Sequence, residues 1–536
     1  MLPNILKNLY GKIFKNIRQK KADSYTYYAC IISGILSALC FLYNLCILSL
    51  LSSVPFFLTL LYGSKKHFLF KKFFLLTFLR FFTFFAISYS WFACAYPLDF
   101  AHISKIGSIL LIAALIAVIS LIHSAFFAAM FIPVYKFDFF GFCFPFVCSG
   151  IYTLSEYLLC AGDLAFPFSF QYISASKTPV FIQSASLFGS EFITFIIIFV
   201  NASIAQTIFS FGEKDRKKYI AASFAPILLI ANLAYGIYSL NTPHKAYNTA
   251  SFLVVQSNIS SYDKWSGNTD YIFEKNLEIV NMAFEESSDI DFIVLSETVF
   301  PIQFGKDSEK ALKYRKELER IAAEKNCNVF FGAFYKENGR TYNAVFMADP
   351  FGISDSPYLK RKTVPFGESI PFEKYLGHFF EKSSLNLFDS NISPGIESRI
   401  FGSEKGKAGA LVCFDSFFQT PSRQSASDGA EVLLLLTNDS WYKNSRELDV
   451  HCSHNIMRAV ETGRTFVCSA NNGISCVISD KGKILSSLGK SIDGYILCEA
   501  PLLTEKTLYV KIGDIFALVC AIIVLIPTLK EKFFRF

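Results

Sequence analysis

Three polar residues in the C-terminal half stand directly after short apolar runs: Glu297 in FIVLSETVFP, Lys360 in YLKRKTVPFGE and Cys413 in ALVCFDS. Layered α/β folds carry their sites on such strand ends, because the sheet fixes the side chain while the loop stays accessible. Singly, each has an ordinary explanation: a solvated Glu, a surface Lys in a KRK run, a structural Cys. Together they form a coherent set. A thiolate is a strong nucleophile, and a neighbouring ammonium lowers its pKa and can hold a developing oxyanion. A carboxylate within reach can collect the thiol proton and later activate the incoming nucleophile. Such a set suits nucleophilic attack on an acyl carbon, and no metal and no diffusible cofactor are expected.

Holding three such residues together requires a sheet. Short β-type runs at 252–256, 292–296, 329–334, 344–348, 409–413, 432–437, 465–470 and 476–479 alternate with amphipathic helical stretches at 271–286, 309–325 and 449–463. This alternation predicts an α/β layered domain with buried strands. At roughly 250 residues it is large enough for its own core.

The rest of the chain has a different solvent. Of 536 residues, 52% are hydrophobic and only 18% charged, where soluble domains sit near a quarter. Mean hydropathy is +0.37. Apolar runs of spanning length recur at 27–61 (two short spans with a turn near 52–55), 73–96, 109–132, 139–160, 186–209, 219–240 and 512–529. About eight membrane helices are expected. With that count, Lys20 and Lys21, the loop with Lys65, Lys66, Lys71 and Lys72, the loop with Lys214, Arg216, Lys217 and Lys218, and the terminal Lys530, Lys532 and Arg535 share one side. The positive-inside rule makes that side cytoplasmic and puts the 241–511 segment outside the cytoplasm. The expected division is a basic cytoplasmic tail (1–24), seven helices (25–241), a non-cytoplasmic catalytic domain (242–505), and an eighth helix with a short tail (506–536). The N-terminus lacks a small-residue cleavage pattern and is not expected to be a cleaved signal.

Competing features point to bland roles. The net charge of +7 clusters beside apolar runs, as membrane-flanking charge does, and nucleic acid is not an expected partner. Eight of the 14 cysteines lie in apolar stretches, and the other six (Cys327, Cys413, Cys452, Cys468, Cys476, Cys498) show no CxxC pair or zinc spacing, so a disulfide scaffold is not expected. His451, Cys452 and His454 lack a further ligand at a suitable offset and read as a helix-surface cluster. Arg80 lies inside an apolar run, where it could snorkel towards Lys71 and Lys72 or pair with Glu156. Glu156 and Glu191, near the outer ends of their spans, suit either the interface or the wall of a lipid-entry cavity.

The ordered series Glu–Lys–Cys, with VPFGE after the Lys, resembles the nitrilase superfamily, whose fold is an α-β-β-α sandwich. Such a domain between the seventh and eighth of eight spans is similar to the apolipoprotein N-acyltransferases of bacterial lipoprotein maturation. The resemblance extends over VVQSNISSYDKW (Gln256, Asn258, Trp265), LSETVFP, YLKRKTVPFGESIPFE, LVCFDS, TNDSWY, MRAVETGR and SANNGIS. In the membrane half it extends over SEYLL, GDLAFPF and GSEF. It implies Glu297 as general base, Lys360 as charge stabiliser, Cys413 as nucleophile and Glu368 as the carboxylate orienting Lys360. It also implies that Trp265 and the Asn438–Trp441 loop lie near substrate entry and that Glu156 serves the substrate side. The expected partners are a phosphatidylethanolamine-like acyl donor and an apolipoprotein acceptor, in a bacterial inner membrane with the catalytic domain on the periplasmic side. Two positions depart from the pattern. Phe414-Asp415 replaces the common Tyr-Glu after the cysteine, leaving Asp415 as a shorter supporting carboxylate, and Leu159 stands where Arg is common. The rival readings are a membrane-tethered amidase or nitrilase acting on a small amide, and a non-enzymatic membrane sensor. The many spans weigh against the first and the intact triad against the second.

Overall fold

The computed structural model describes residues 24–98, 103–136, 143–211, 216–304, 308–372 and 392–534. The basic tail before Ser24 lies outside them. The membrane helices are α1 (Ser24–Tyr43), α2 (Cys46–Lys65), α3 (Phe70–Ser88, prolonged by a 3-10 turn Ser90–Ala95), α4 (Lys105–Met130), α5 (Phe144–Leu158), α6 (Ser190–Phe209) and α7 (Arg216–Asn241). Among the described residues six helices are long and apolar enough to cross a membrane. Two shorter apolar helices follow, Pro179–Phe188 and the Ile515–Pro527 part of the C-terminal α12 (Ile515–Phe534), while the 15-residue α5 and α12 lie where the sequence expects spans at 139–160 and 512–529.

Two features of the bundle differ from expectation. The first two helices break at Asn44, whose φ of 54° is left-handed, and not near Ser52–Pro55, where the chain stays helical save for a one-residue irregularity at Ser53. The Asn44 side chain stabilises the break by donating to the carbonyl of Ile173 at 2.8 Å and to Ser176 Oγ at 2.9 Å. Arg80 neither snorkels nor pairs with Glu156. It is fully buried, donates to Ser37 and Ser53 Oγ (both 3.0 Å), and lies over the Phe81 ring at 4.5 Å. The hydroxyl acceptors on Nη2 and the aromatic face offset part of the cost of this buried charge, while its Nε has no hydrogen-bond partner among the described residues.

Beyond α7 the chain forms two sheets. The first has the order β14-β1-β2-β4-β5-β6, built from β1 (Ala246–Gln256), β2 (Phe292–Val294), β4 (Asn328–Glu337), β5 (Arg340–Asp349), β6 (Gly352–Ile353) and β14 (Gly494–Leu503); β3 (Phe300–Gln303) joins β4, and β7 (Tyr358–Leu359) joins β5. The second has the order β13-β12-β11-β10-β9-β8, from β8 (Ile400–Ser403), β9 (Gly406–Val412), β10 (Val432–Thr437), β11 (Thr465–Ala470), β12 (Cys476–Ile478) and β13 (Ile484–Ser487). All eight β-type runs of the sequence correspond to strands. β10 (VLLLLT) is buried along its whole length and pairs in parallel with β9 and β11, which explains its unbroken apolar run: both faces of the sheet are covered.

The inner faces meet in one core through residues such as Phe252, Val294, Phe330, Val412, Leu434 and Val467. Outside the first sheet lie α8 (Thr269–Glu286) and α9 (Glu309–Lys325), where Phe273 stacks on Tyr314 at 4.1 Å. Outside the second lie α10 (Gln419–Ser427) and α11 (Glu447–Thr462), and the apolar residues of α11 merge with the membrane helices into a single core. This is an α-β-β-α sandwich with one helical layer pressed onto the bundle. The surface reading of His451, Cys452 and His454 fails for that reason. All three are buried, because α11 has the sheet on one face and the bundle on the other.

Candidate active site

Glu297 follows β2 in a turn that passes close to β4. Thr298 there has a φ of 39°, and a Cβ on Gly332 of β4 would lie 2.4 Å from the Thr298 amide nitrogen. Only glycine lets the two backbones approach so closely. The carboxylate is held from three directions. Its Oε1 accepts from Lys360 Nζ at 3.2 Å and Asn343 Nδ2 at 2.7 Å, and its Oε2 accepts from the Asn438 backbone N–H at 2.8 Å. Lys264, itself buried, donates to the Glu297 carbonyl at 2.7 Å. Burial, opposed by the charge of Glu297, lowers the Lys264 pKa to about 8.

Lys360 follows β7 and is 1% exposed. Its ammonium also donates to Glu368 Oε1 at 2.7 Å. Glu368 Oε2 in turn accepts from the Val364 N–H at 2.9 Å, closing the VPFGE turn on itself. Burial pulls the Lys360 pKa down, but Glu297 and Glu368 together outweigh it and hold the group well above its ordinary value. Two of its three N–H donors are committed to carboxylates, which leaves one for a third partner.

Cys413 begins the 3-10 turn Cys413–Phe417 after β9 with a φ of 44°. A side-chain bearing residue held in this region marks a strained, over-determined position. Asp415 supplies the determination. Its Oδ2 accepts from the Val412 N–H (3.0 Å) and Tyr358 OH (2.8 Å), and its Oδ1 from the N–H groups of Arg361 (3.2 Å) and Lys362 (2.8 Å). One carboxylate thereby ties the cysteine turn to the loop carrying Lys360. Burial pushes the Asp415 pKa up, while these donors and the Lys360 charge hold it back. Burial and the nearby Glu297 raise the Cys413 thiol well above its ordinary value, against Lys360, so it rests protonated.

Cys413 lines a cavity of about 400 Å³. On the domain side its wall includes Val364, Phe366, Phe414 and Tyr442; on the bundle side it includes Trp91, Phe92 and the α4 residues Val118 and Ile122. The last two are 51% and 55% exposed on the flank of α4, which faces outward from the bundle. The cavity thus runs from a buried thiol to the exposed outer flank of α4.

The other expected positions fall differently. Trp265 and Trp441 are about half exposed and do not line the cavity. The Asn438 side chain is engaged within the domain, its Oδ1 accepting from Ser440 Oγ and Asn471 Nδ2 (both 2.9 Å). Glu156 does not line the Cys413 cavity. It is 1% exposed and accepts from the Gln171 N–H at 2.5 Å and Thr194 Oγ1 at 2.6 Å, pinning the 171–175 turn to α6. Glu191 accepts from Gln419 Nε2, linking α6 to the segment after the cysteine turn. Sequence reasoning passed over Asn343, Lys264 and Tyr358, which sit in ordinary strand and helix patterns and acquire their roles only through contact.

Two facing sheets with helices outside, and a thiol, an ammonium and a carboxylate gathered at their strand ends, define a nitrilase-type carbon–nitrogen hydrolase domain seated on a membrane bundle. Residues 254–511 match the carbon-nitrogen hydrolase family, and residues 33–203 match the apolipoprotein N-acyltransferase N-terminal domain. Among similar proteins, an apolipoprotein N-acyltransferase of Borreliella burgdorferi is 28% identical over 72% of this chain and 74% of its own length. Apolipoprotein N-acyltransferase 2 of Treponema denticola is 27% identical over 72% and 77%, and that of Geobacter metallireducens 28% over 66% and 68%. Among solved structures, Saccharomyces cerevisiae Nit3, of the nitrilase superfamily, covers 51% of this chain and 97% of its own at 18% identity and a TM-score of 0.37. The chain belongs to the apolipoprotein N-acyltransferase family.

Proposed function

We propose that this enzyme transfers an acyl chain from a phospholipid, through a thioester on Cys413, to the N-terminal amine of the lipid-modified cysteine of an apolipoprotein. The observation that carries the reading is the cavity joining the Cys413 thiol to the outer flank of α4. A soluble amide would need no such path, whereas drawing an acyl chain through water costs about 0.8 kcal/mol per CH₂.

Glu297 takes the proton of the neutral thiol as Cys413 attacks the ester carbonyl of the donor. The remaining N–H of Lys360, with a backbone N–H of the cysteine turn, holds the oxyanion. Glu297 returns the proton to the departing lysophospholipid, and the acyl group stays on sulfur. The acceptor amine then attacks the thioester, the C–S bond breaks as the C–N bond forms, and Glu297 carries a proton back to the Cys413 sulfur. Glu368 keeps Lys360 aligned, and Asp415 keeps the two loops in register. We assign Trp265, the Asn438 loop and Trp441 to the acceptor's approach, on the ground that Trp441 is next in sequence to the cavity-lining Tyr442. In the whole chain, 25–241 forms the lipid-embedded half, 242–505 the catalytic domain on the periplasmic side of the inner membrane, and 506–536 the last helix and a cytoplasmic tail.

The test is a transfer assay with phosphatidylethanolamine labelled in its acyl chain and a diacylglyceryl-cysteine peptide. Labelled amide and lysophospholipid should appear in equal amounts, and neither with Cys413→Ala. Free fatty acid in place of amide would make the enzyme a hydrolase.

A further inference from the structure

One buried carboxyl has no place in this scheme. Glu447, the first residue of α11, is 1% exposed and lines the same cavity as Cys413 and Tyr442. Its Oε2 has no hydrogen-bond partner among the described residues. Its acidic neighbours are provided for. Asp439 accepts from Thr437 Oγ1 at 2.8 Å and lies 3.2 Å from His451 Nδ1, while Asp449 accepts from Lys490 Nζ at 2.7 Å and from Arg446 at 3.4 Å. Lys490, the cation whose field reaches Glu447, is further tied to the Ser445 carbonyl at 3.0 Å. Burial and the like charge of Asp439 push the Glu447 pKa well above the ordinary carboxylate range. A buried acid left with an unsatisfied oxygen calls for an explanation, and a ligand that donates to it is one.

We infer that Glu447 receives the primary ammonium of a substrate lying in the Cys413 cavity. An arriving cation would offset the repulsion from Asp439, favour the ionised carboxyl and supply the missing N–H donor. A quaternary ammonium has no N–H to give, and a glycerol headgroup has no charge. The start of a helix also favours a negative side chain there. The inference rests on the acyl-transfer reading, which brings two primary ammonium groups to the cavity: the ethanolamine of the donor, and the α-amine of the acceptor, which gives one proton to the Glu447 carboxylate before it attacks the thioester as the free amine.

The experiment uses the full-length protein, wild type, Glu447→Gln and Glu447→Asp. Thioester formation is followed with phosphatidylethanolamine and with phosphatidylglycerol, and thioester discharge with a diacylglyceryl-cysteine peptide and with the small neutral amine hydroxylamine. Gln should slow an ammonium-bearing reaction by about 10- to 100-fold, the scale of a lost charged hydrogen bond. Asp should retain part of the rate, and the phosphatidylglycerol and hydroxylamine reactions should stay at wild-type rates, which also reports intact folding. A loss confined to the phosphatidylethanolamine step identifies the headgroup, and one confined to the peptide step identifies the acceptor. An equal fall in all four reactions, or no change in any, overturns the inference. Wild-type protein that forms no thioester would instead overturn the acyl-transfer reading beneath it.

Discussion

At the scale of single residues, the site depends on carboxylates used as fasteners as much as on those used as bases. Asp415 gathers three backbone N–H groups and one hydroxyl. Asp415→Asn keeps one acceptor oxygen but turns an NH₂ towards donors. We expect it to lower unfolding stability by about 3 kcal/mol, the cost of stranding buried donors, and to slow thioester formation with it. Thermal melting and single-turnover acylation measure the two effects, and an unchanged acylation rate would deny Asp415 its positioning role. The sequence made Glu297, Lys360 and Cys413 visible because each interrupts an apolar run at its end. Glu447 was invisible: it sits in RELDV, an ordinary helix start, and only the packing of α11 against the bundle buries it.

At the scale of elements, the alternation of apolar runs and amphipathic stretches made the sandwich legible, since period and length both report burial. What pattern could not report is close approach between strands distant in sequence. The Gly332 contact with the Thr298 turn is of that kind: a single glycine in GAFYKE carries no mark of what passes above it. Gly332→Ala should therefore push the Glu297 turn aside. The expected result is a turnover reduced by at least about 10²-fold, as a displacement near 1 Å at a reacting group can cause. Steady-state acyl transfer checks it, and near wild-type turnover would mean that the turn can shift at no cost. The histidines of α11 were misread for the complementary reason. A helix covered on both faces has no polar face to display, and one-sided amphipathicity is the wrong template for it.

At the scale of the whole molecule, the sandwich is docked on the bundle through buried charge as well as apolar contact. Glu461 at the end of α11 accepts from the Ser190 N–H at the start of α6 (2.8 Å) and from Arg458 Nη2 (2.9 Å), and Arg458 is fully buried. Glu461→Ala would leave the guanidinium unpaired, a loss of about 3–5 kcal/mol, and should appear as a lower melting temperature and faster proteolysis between the two halves. Melting and proteolysis at wild-type levels would show that apolar contact alone holds the domain. The docking keeps one wall of the Cys413 cavity on the outward flank of α4, the path the proposed acyl transfer requires. The most direct test is to purify the enzyme from a phosphatidylethanolamine-containing membrane and measure the mass of the peptide carrying Cys413. The account predicts one acyl chain on that cysteine, removed by hydroxylamine, discharged by a diacylglyceryl-cysteine peptide and missing in Glu297→Gln. An unmodified Cys413, or an acyl group resting on another residue, would contradict it.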